Sequence, residues 1–376
     1  MIVMFKMIQF LFVFLTLVGA NSCTQDEVDE QVILPTNLEV TITELENGMV
    51  KVGFSAEKVN FFRVSFGVNN SSPELVSGRE VTYRYDQVGE YTITVQAHAT
   101  EADFIKKEET VTITEQSLGI GFPTSGFESP ITYDGYSLSW SDEFNTSTLS
   151  SDWVFEIGDG CPGLCGWGNN ELQYYRRENT ELKDGYLVIT AKQESIGGRN
   201  YTSSRLKTQG KQVFQYGRID IRAALPKGQG IWPAFWMLGE SITDISWPAC
   251  GEIDIMEMVG GSASGRDDTV HGTLHWDNNG SYSYKGGKLT LPGAAKLADN
   301  FHVYSIIWDE NKIVWLLDDE VFHEQDISPA AMDEFRKPFF LLINMAVGGN
   351  WPGNPDGTTI LPQQMAVDYV RVFEKN

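Results

Sequence analysis

Basic residues are scarce in this chain. Its 376 residues include 28 lysines and arginines against 51 aspartates and glutamates, which gives a formal net charge of -23. A surface this negative repels phosphate backbones and anionic lipid, so the composition argues against nucleic acid as a partner. It also argues against a heavily sulfated polysaccharide, because a cleft for such a substrate would need basic residues. A neutral substrate fits the composition better.

Cysteine is also scarce, with four residues in the whole chain. In an oxidising compartment Cys161 and Cys165 could form a disulfide within one tight loop. Cys250 would then be an unpaired thiol, which we expect to be buried. No paired cysteine or histidine ligands at zinc-finger spacing occur elsewhere, so the sequence disfavours a zinc site.

The N-terminal residues resemble an export signal. Residues 10–20 are an apolar run behind the single lysine Lys6. The run is too short to span a bilayer and has the length of a secretory signal core. The sequence from Ala20 to Cys23 resembles a bacterial lipoprotein cleavage site, and residues 24–50 hold seven acids and no lysine or arginine.

We therefore expect a signal peptide over residues 1–22, an acidic tether over 23–33, and a lipid anchor at Cys23 as the only link to a membrane. Ordinary signal cleavage near Ala20 or Ser22 is the alternative. Both interpretations predict an extracellular or outer-membrane surface protein of a bacterium.

Tryptophan is absent from the first third of the chain, since all ten lie after position 139. Residues 34–116 instead show short alternating strands separated by turn residues, which predict a small immunoglobulin-like β-sandwich. The predicted strands are residues 38–42, 50–54, 62–66, 91–95 and 110–113. Residues 81–95 resemble the polycystic-kidney-disease (PKD) type of bacterial module, for which a spacer role is the default and glycan binding the alternative.

Helical periodicity is hard to find anywhere except residues 329–335. Residues 117–135 are rich in serine, glycine and proline and predict a linker. From 136 to 376 the pattern is almost wholly β, which fits one concanavalin-like jelly roll, a sandwich of two sheets. Its clearest predicted strands are residues 186–190, 217–222, 303–308, 313–317 and 366–372. The predicted fold class is therefore all-β.

The most informative segment is the hexapeptide Glu-Ile-Asp-Ile-Met-Glu at residues 252–257. Side chains alternate along a strand, so Glu252 and Asp254 share one face, but strict alternation would turn Glu257 toward the core. An extra residue near 255–256, a β-bulge, would return Glu257 to the face of the other two acids. Two carboxyls about 5–5.5 Å apart are what a retaining glycosidase needs as nucleophile and acid/base.

Two simpler interpretations of this triplet are weaker. A solvated strand face does not fit the apolar flanking residues, because burying acids without partners is costly. A calcium site would need loop-type ligand spacing, which is missing here.

The triplet, with its Met256, resembles the signature of family 16 glycoside hydrolases in the laminarinase-like branch. Five further stretches match that family in order: residues 140–144, 167–175, 230–238, 271–275 and 345–351. The resemblance covers about residues 136–374 and implies a jelly roll with a concave cleft and a double-displacement mechanism. It implies that Glu252 is the nucleophile and Glu257 the acid/base. It also implies that Asp254 assists Glu252 by hydrogen bonding to it.

The same resemblance implies a set of substrate-binding residues, which are Trp232, Trp236, Trp247, His271, Asn169 and Arg205. Core packing is the alternative for the tryptophans, and a loop-holding role is the alternative for Asn169 and Arg205. His271 and His275 share a strand face, but two histidines without a third ligand favour a metal less than a place near the acids. Catalysis needs no cofactor, whereas a structural calcium is expected at Glu143, the Gly185 carbonyl and Asp368, with ordinary surface acids as the alternative.

The leading hypothesis is a monomeric endo-β-1,3-glucanase acting on laminarin-type β-glucan. A mixed-linkage β-1,3-1,4-glucanase is the near alternative. A galactan hydrolase such as an agarase should show more basic cleft residues than Arg266 and Lys285. A non-catalytic glycan-binding protein is disfavoured because all three acids are present, and a purely structural adhesion module leaves them unexplained.

Overall fold

A computed structural model describes residues 32–45, 47–69, 71–118 and 121–376. These residues form 24 strands and four short 3-10 helices, at Cys165–Gly168, Arg177–Asn179, Glu240–Thr243 and Ala330–Arg336. The predicted signal peptide, most of the tether and Cys23 lie outside the described residues. Within the described part, no helix combines the length and apolar character needed to cross a membrane.

The N-terminal strands form two antiparallel sheets. The strands are β1 (Thr36–Glu44), β2 (Met49–Glu57), β3 (Phe61–Ser65), β4 (Glu74–Val76), β5 (Glu80–Arg84), β6 (Gly89–His98) and β7 (Phe104–Ile113). One sheet has the order β1-β2-β5 and the other β4-β3-β6-β7. Alternate residues of β2, namely Val50, Val52 and Phe54, are buried in the core that the two sheets share. The five strands predicted here are present, while the kinship with the PKD type stays a prediction.

The remaining strands form a second, larger sandwich. They are β8 (Tyr136–Asp142), β9 (Val154–Phe155), β10 (Gln173–Tyr175), β11 (Thr180–Lys183), β12 (Tyr186–Ala191), β13 (Tyr201–Ser203), β14 (Arg205–Lys207), β15 (Gly217–Ala224), β16 (Ile231–Gly239), β17 (Glu252–Glu257), β18 (Thr269–Asp277), β19 (Tyr282–Thr290), β20 (His302–Trp308), β21 (Lys312–Leu317), β22 (Glu320–Asp326), β23 (Phe339–Val347) and β24 (Gln363–Lys375). A seven-stranded sheet has the order β19-β18-β17-β16-β23-β14-β9. An eight-stranded sheet has the order β11-β12-β24-β15-β20-β21-β22, with β8 also paired to β24, while β10 and β13 pair with each other in a separate two-stranded sheet. The predicted all-β class is confirmed.

The main core lies between these two sheets. Ile253 and Phe235 from the seven-stranded sheet are buried together with Ile221 and Val370 from the eight-stranded sheet. Burial of apolar side chains at alternate positions turns the intervening residues of β16, β17 and β18 to the opposite side. We call this opposite side of the seven-stranded sheet the open face.

Residues 121–135, which belong to the predicted linker 117–135, lie against the outer side of the eight-stranded sheet, and we call them the strap. Arg222 donates a hydrogen bond to the Phe127 carbonyl over 2.6 Å. The Tyr133 hydroxyl donates to Asp220 over 2.7 Å. Side chains of the sheet therefore satisfy the polar groups of the strap, so this segment is not a free spacer.

Candidate active site

Strand β17 carries a bulge at the position that the sequence predicts. Asp254 pairs with Trp236 and Met256 pairs with Phe235, so Ile255 is the extra residue on β17. The register between β17 and β18 shifts in the same interval. Ile255 and Met256 both enter the core. The bulge therefore returns Glu257 to the open face, where Glu252 and Asp254 lie.

Each of the two glutamates accepts a hydrogen bond from a tryptophan. The indole N–H of Trp247 donates to Oε2 of Glu252 over 3.0 Å. The indole N–H of Trp232 donates to Oε1 of Glu257 over 3.2 Å. These bonds fix the orientation of both carboxyls while leaving their second oxygens available to a substrate.

Burial raises the pKa values of all three acids. The pKa of Glu252 is raised to about 8, first by burial and then by the charge of Asp254. Burial raises the pKa of Asp254 as well, and it raises that of Glu257 well above the ordinary range, with the neighbouring carboxyls adding to the effect. The three groups therefore share fewer than three negative charges near neutral pH. A protonated acid and an ionised nucleophile can then exist side by side.

His275, which the predicted substrate-binding set does not include, lies beside Glu252 and Asp254. Its Nε2 lies 3.0 Å from Oδ2 of Asp254, outside hydrogen-bond geometry, and 3.8 Å from Oε1 of Glu252. Its Nδ1 lies 2.8 Å from the hydroxyl of Tyr282. His271 and His275 point to the same face of β18. The register of β18 against β17 therefore decides which acid each of them faces.

His271 lies opposite Glu257 in the ladder between β17 and β18. Its ring meets that of Trp351 edge to face, with centroids 5.0 Å apart. Burial lowers the pKa of His271 to about 4, with Lys288 adding to the effect. A neutral imidazole therefore stands beside Glu257, and its buried Nε2 has no hydrogen-bond partner within the described residues.

The two predicted stacking residues on β16 have different surroundings. Trp232 meets Trp351 edge to face, with centroids 5.7 Å apart. Trp236 donates its indole N–H to Asn344, and the guanidinium of Arg205 lies 4.7 Å from its ring centroid. A cation already occupies one face of Trp236, so only the remainder of that ring is open to a sugar.

Arg205 lies on β14, three strands from β17, and is held from three sides. Its guanidinium stacks on Trp167 as well as Trp236, and its Nε lies 2.6 Å from a carboxylate oxygen of Glu156. Asn169 donates to the buried Glu171 over 3.1 Å, which supports a loop-holding role for its side chain. The predicted disulfide between Cys161 and Cys165 is present in the loop that leads to Trp167.

Cys250, directly before β17, is buried and unpaired, as the sequence predicts. Burial raises the pKa of its thiol to about 11, with the charge of Glu252 as the next cause. The thiol is therefore protonated at neutral pH, and Cys250 packs like a small apolar core residue.

The pairing of β8 with β24 brings two of the predicted calcium ligands, Glu143 and Asp368, near one another. Both carboxylates already have arginine partners. Asp142 pairs with Val370, which places the next residue, Glu143, close to Asp368. Both carboxylate oxygens of Glu143 accept hydrogen bonds from Arg371, at 2.9 and 2.7 Å. Asp368 accepts one from Arg222 over 2.6 Å, and Gly185 lies in the turn before β12 with φ of 86°. In this arrangement arginines pair with both carboxylates, so a calcium ion would have to compete with Arg371 and Arg222 for these oxygens.

A second group has the composition of a cation site. Ligand atoms of Glu252, Asp254 and His275 lie within 4.8 Å of one another, the only such group among the described residues. We assign this group to catalysis because the bulge adds Glu257 to the same face, which gives the carboxyl pair that glycoside cleavage requires.

An all-β sandwich with a bulged strand of buried acids among tryptophans has the arrangement of a retaining glycosidase. The model of glycosyl hydrolases family 16 matches residues 167–371. This is more than half of the chain, which therefore belongs to glycosyl hydrolases family 16 and is a glycoside hydrolase.

Three comparisons show the extent of the similarity. The chain is 43% identical over 255 residues to the beta-glucanase of Rhodothermus marinus, covering 63% of this chain and 85% of that protein. It is 40% identical over 242 residues to the clotting factor G alpha subunit of Tachypleus tridentatus, covering 64% of this chain but only 34% of that protein. The solved catalytic domain of an endo-1,3-beta-glucanase (laminarinase) from Thermotoga petrophila aligns with a TM-score of 0.59 at 44% identity, covering 64% of this chain and 98% of that one.

Proposed function

We propose that this protein is an endo-glucanase that hydrolyses internal β-1,3 linkages of a neutral, laminarin-type β-glucan with retention of configuration. The observation that carries the proposal is the bulge in β17, which gathers Glu252, Asp254 and Glu257 on the open face. The similarity to a laminarinase and a beta-glucanase supports the substrate class.

In the first half of the reaction, the Glu252 carboxylate attacks the anomeric carbon while the glycosidic C–O bond breaks. Glu257 gives its proton to the departing oxygen, which leaves a glycosyl ester on Glu252. In the second half, Glu257 takes a proton from water, and that water attacks the anomeric carbon and releases Glu252. The charge of Asp254 raises the pKa of Glu257 and so helps to keep the proton on this acid until the departing oxygen takes it.

A galactan substrate carrying sulfate has less support. Arg266, one of the two basic residues considered for it, donates from Nε to the Gly260 carbonyl over 2.8 Å and from a terminal nitrogen to the Pro352 carbonyl over 2.6 Å. Its guanidinium therefore holds backbone loops together. A mixed-linkage β-1,3-1,4-glucan stays the nearer alternative, because the same carboxyl arrangement would cut it.

The test compares reducing-sugar release from laminarin, lichenan, curdlan and agarose by the wild type and by Glu252→Gln. Strong wild-type activity on laminarin that the variant lacks would support the linkage and the nucleophile together. Preference for lichenan would favour the mixed-linkage glucanase. A folded wild type inactive on all four would favour a glycan-binding protein.

We further propose that the protein is a monomeric surface lipoprotein anchored through Cys23, with the PKD-like sandwich as a spacer. The acidic run after that cysteine supports a solvated tether. Mass spectrometry of the mature protein would detect the lipid, and an unmodified N-terminus would overturn the anchor. Calcium at Glu143 and Asp368 also stays a prediction, which a higher Tm in calcium chloride than in EDTA would support.

A further inference from the structure

A row of side chains crosses three strands of the open face and ends at an edge. In the antiparallel ladders Glu252 pairs with His275, and His275 pairs with Tyr284. Directly opposite residues of such ladders point to the same side of a sheet, so all three lie on the open face. Tyr282, two residues from Tyr284 on β19, points the same way.

The rings of His275, Tyr282 and Tyr284 form a compact cluster of nearly parallel rings and not a linear column. Their centroids are nearly equidistant, at 5.9, 6.1 and 6.0 Å, and their planes differ by only 6°, 24° and 21°. In a column of three stacked rings the outer pair would be twice as far apart as neighbours. A contact of 2.8 Å between Nδ1 of His275 and the Tyr282 hydroxyl joins two of these rings directly.

This cluster faces solvent. Tyr282 is 50% exposed and Tyr284 is 68% exposed. Trp247, itself 45% exposed, stands beside Tyr282 with centroids 5.1 Å apart and planes inclined at 38°. Three large aromatic side chains exposed side by side form a patch of the kind that marks a ligand-binding groove.

We propose that the aromatic platform, formed by His275, Tyr282 and Tyr284 with Trp247 as its wall, binds a pyranose unit of the glucan beyond the acids, on the side away from Arg205. The inference rests on the proposed function. The sheet order places β19 two strands from β17 on one side and β14, which carries Arg205, three strands away on the other. A polysaccharide lying across the strands would contact Arg205 at one end and the platform at the other, and flat aromatic rings suit the apolar face of a sugar.

The experiment uses the full chain and a β-1,3-linked hexasaccharide labelled at its reducing end. Tyr284→Ala should lower kcat/KM about three- to tenfold. It should also move the preferred cleavage site along the oligosaccharide in one direction, because bound chains lose their contact at one end of the cleft. Tyr284→Phe keeps the ring and should keep the cleavage pattern. Phe104→Ala removes an exposed aromatic from the N-terminal sandwich and serves as the matched control.

Unchanged kcat/KM and an unchanged cleavage pattern in folded Tyr284→Ala would overturn the platform while the proposed function stood. A wild type that cleaves no β-1,3-glucan would overturn the proposed function itself, and the platform with it. If Tyr284→Ala proves unfolded, Tyr284→Thr gives a second variant suited to an exposed strand, and the same two measurements decide the question.

Discussion

The indole N–H of Trp247 donates a hydrogen bond to Oε2 of Glu252 over 3.0 Å, which stabilises the ionised form of the proposed nucleophile. Trp232 makes the corresponding bond to Glu257, whose protonated form is needed in the first step. Two similar bonds thus act on groups that must be in opposite protonation states. Removing them should therefore affect opposite limbs of the pH profile.

Trp247→Phe should raise the pKa of Glu252. A hydrogen bond to a charged group contributes about 1.5–3 kcal/mol, so the acidic limb of kcat/KM should move up by about one to two pH units. Activity is then lost at low pH, because the nucleophile must be ionised to attack. The measurement is kcat/KM on laminarin between pH 4 and 9, and an unmoved acidic limb would contradict the assignment of Glu252.

Trp232→Phe should raise the pKa of Glu257, because the lost bond favoured its ionised form. The alkaline limb of kcat/KM should then move to higher pH, since the acid keeps its proton for longer. The two carboxyls titrate as a coupled pair, so the informative quantity is the difference between the variants. Equal shifts of the same limb in Trp232→Phe and Trp247→Phe would refute the division of roles.

Replacing an active-site acid should stabilise the fold, and more so at high pH. The pKa of Glu252 is about 8 in the folded protein and ordinary in the unfolded chain, so the folded state binds more protons between about pH 4.5 and 8. Stability contributed by this group therefore falls as pH rises through that window.

Glu252→Gln removes this cost. We expect a gain of about 1–2 kcal/mol at pH 8, or about 2–8 °C in Tm for a domain of this size, and almost none at pH 4. Tryptophan emission is a suitable probe, because all ten tryptophans lie in the larger sandwich. Asp244→Asn, on an exposed loop, is the control. A gain independent of pH would argue against charge burial as its cause.

The sequence predicts the catalytic strand well because the alternation of side chains is strict. Three acids at 252, 254 and 257 can share a face only with an extra residue, and the structure has Ile255 in that place. His271, predicted near the acids, lies opposite Glu257, but the place of His275 beside Glu252 and Asp254 cannot be predicted in this way. Both lie on the same face, and their neighbours depend on the register of β18 against β17 and β19.

The contacts of the strap cannot be predicted from the sequence for a related reason. Serine, glycine and proline predict a segment without regular structure, which residues 121–135 are. Composition says nothing of the partners that an irregular segment finds. Here those partners are Asp220 and Arg222 on β15, about 90 residues away along the chain. No periodic pattern in the strap indicates them.

Tyr133→Phe should destabilise the larger sandwich although it lies far from the acids. Its hydroxyl donates to Oδ2 of Asp220, whose other oxygen accepts from Arg218 and Ser305. Asp220 is fully buried, so losing one donor leaves part of a charged group without a partner. We expect a loss of about 1–3 kcal/mol in the free energy of unfolding, measured by urea denaturation with tryptophan emission, while kcat and KM stay at wild-type values.

Ser125→Ala, which removes an exposed hydrogen bond of the same strap, should change stability by less than about 0.5 kcal/mol. If both variants had the wild-type free energy of unfolding, the contacts of the strap would not stabilise the larger sandwich. The folded catalytic unit would then need only the residues from about 136 onward.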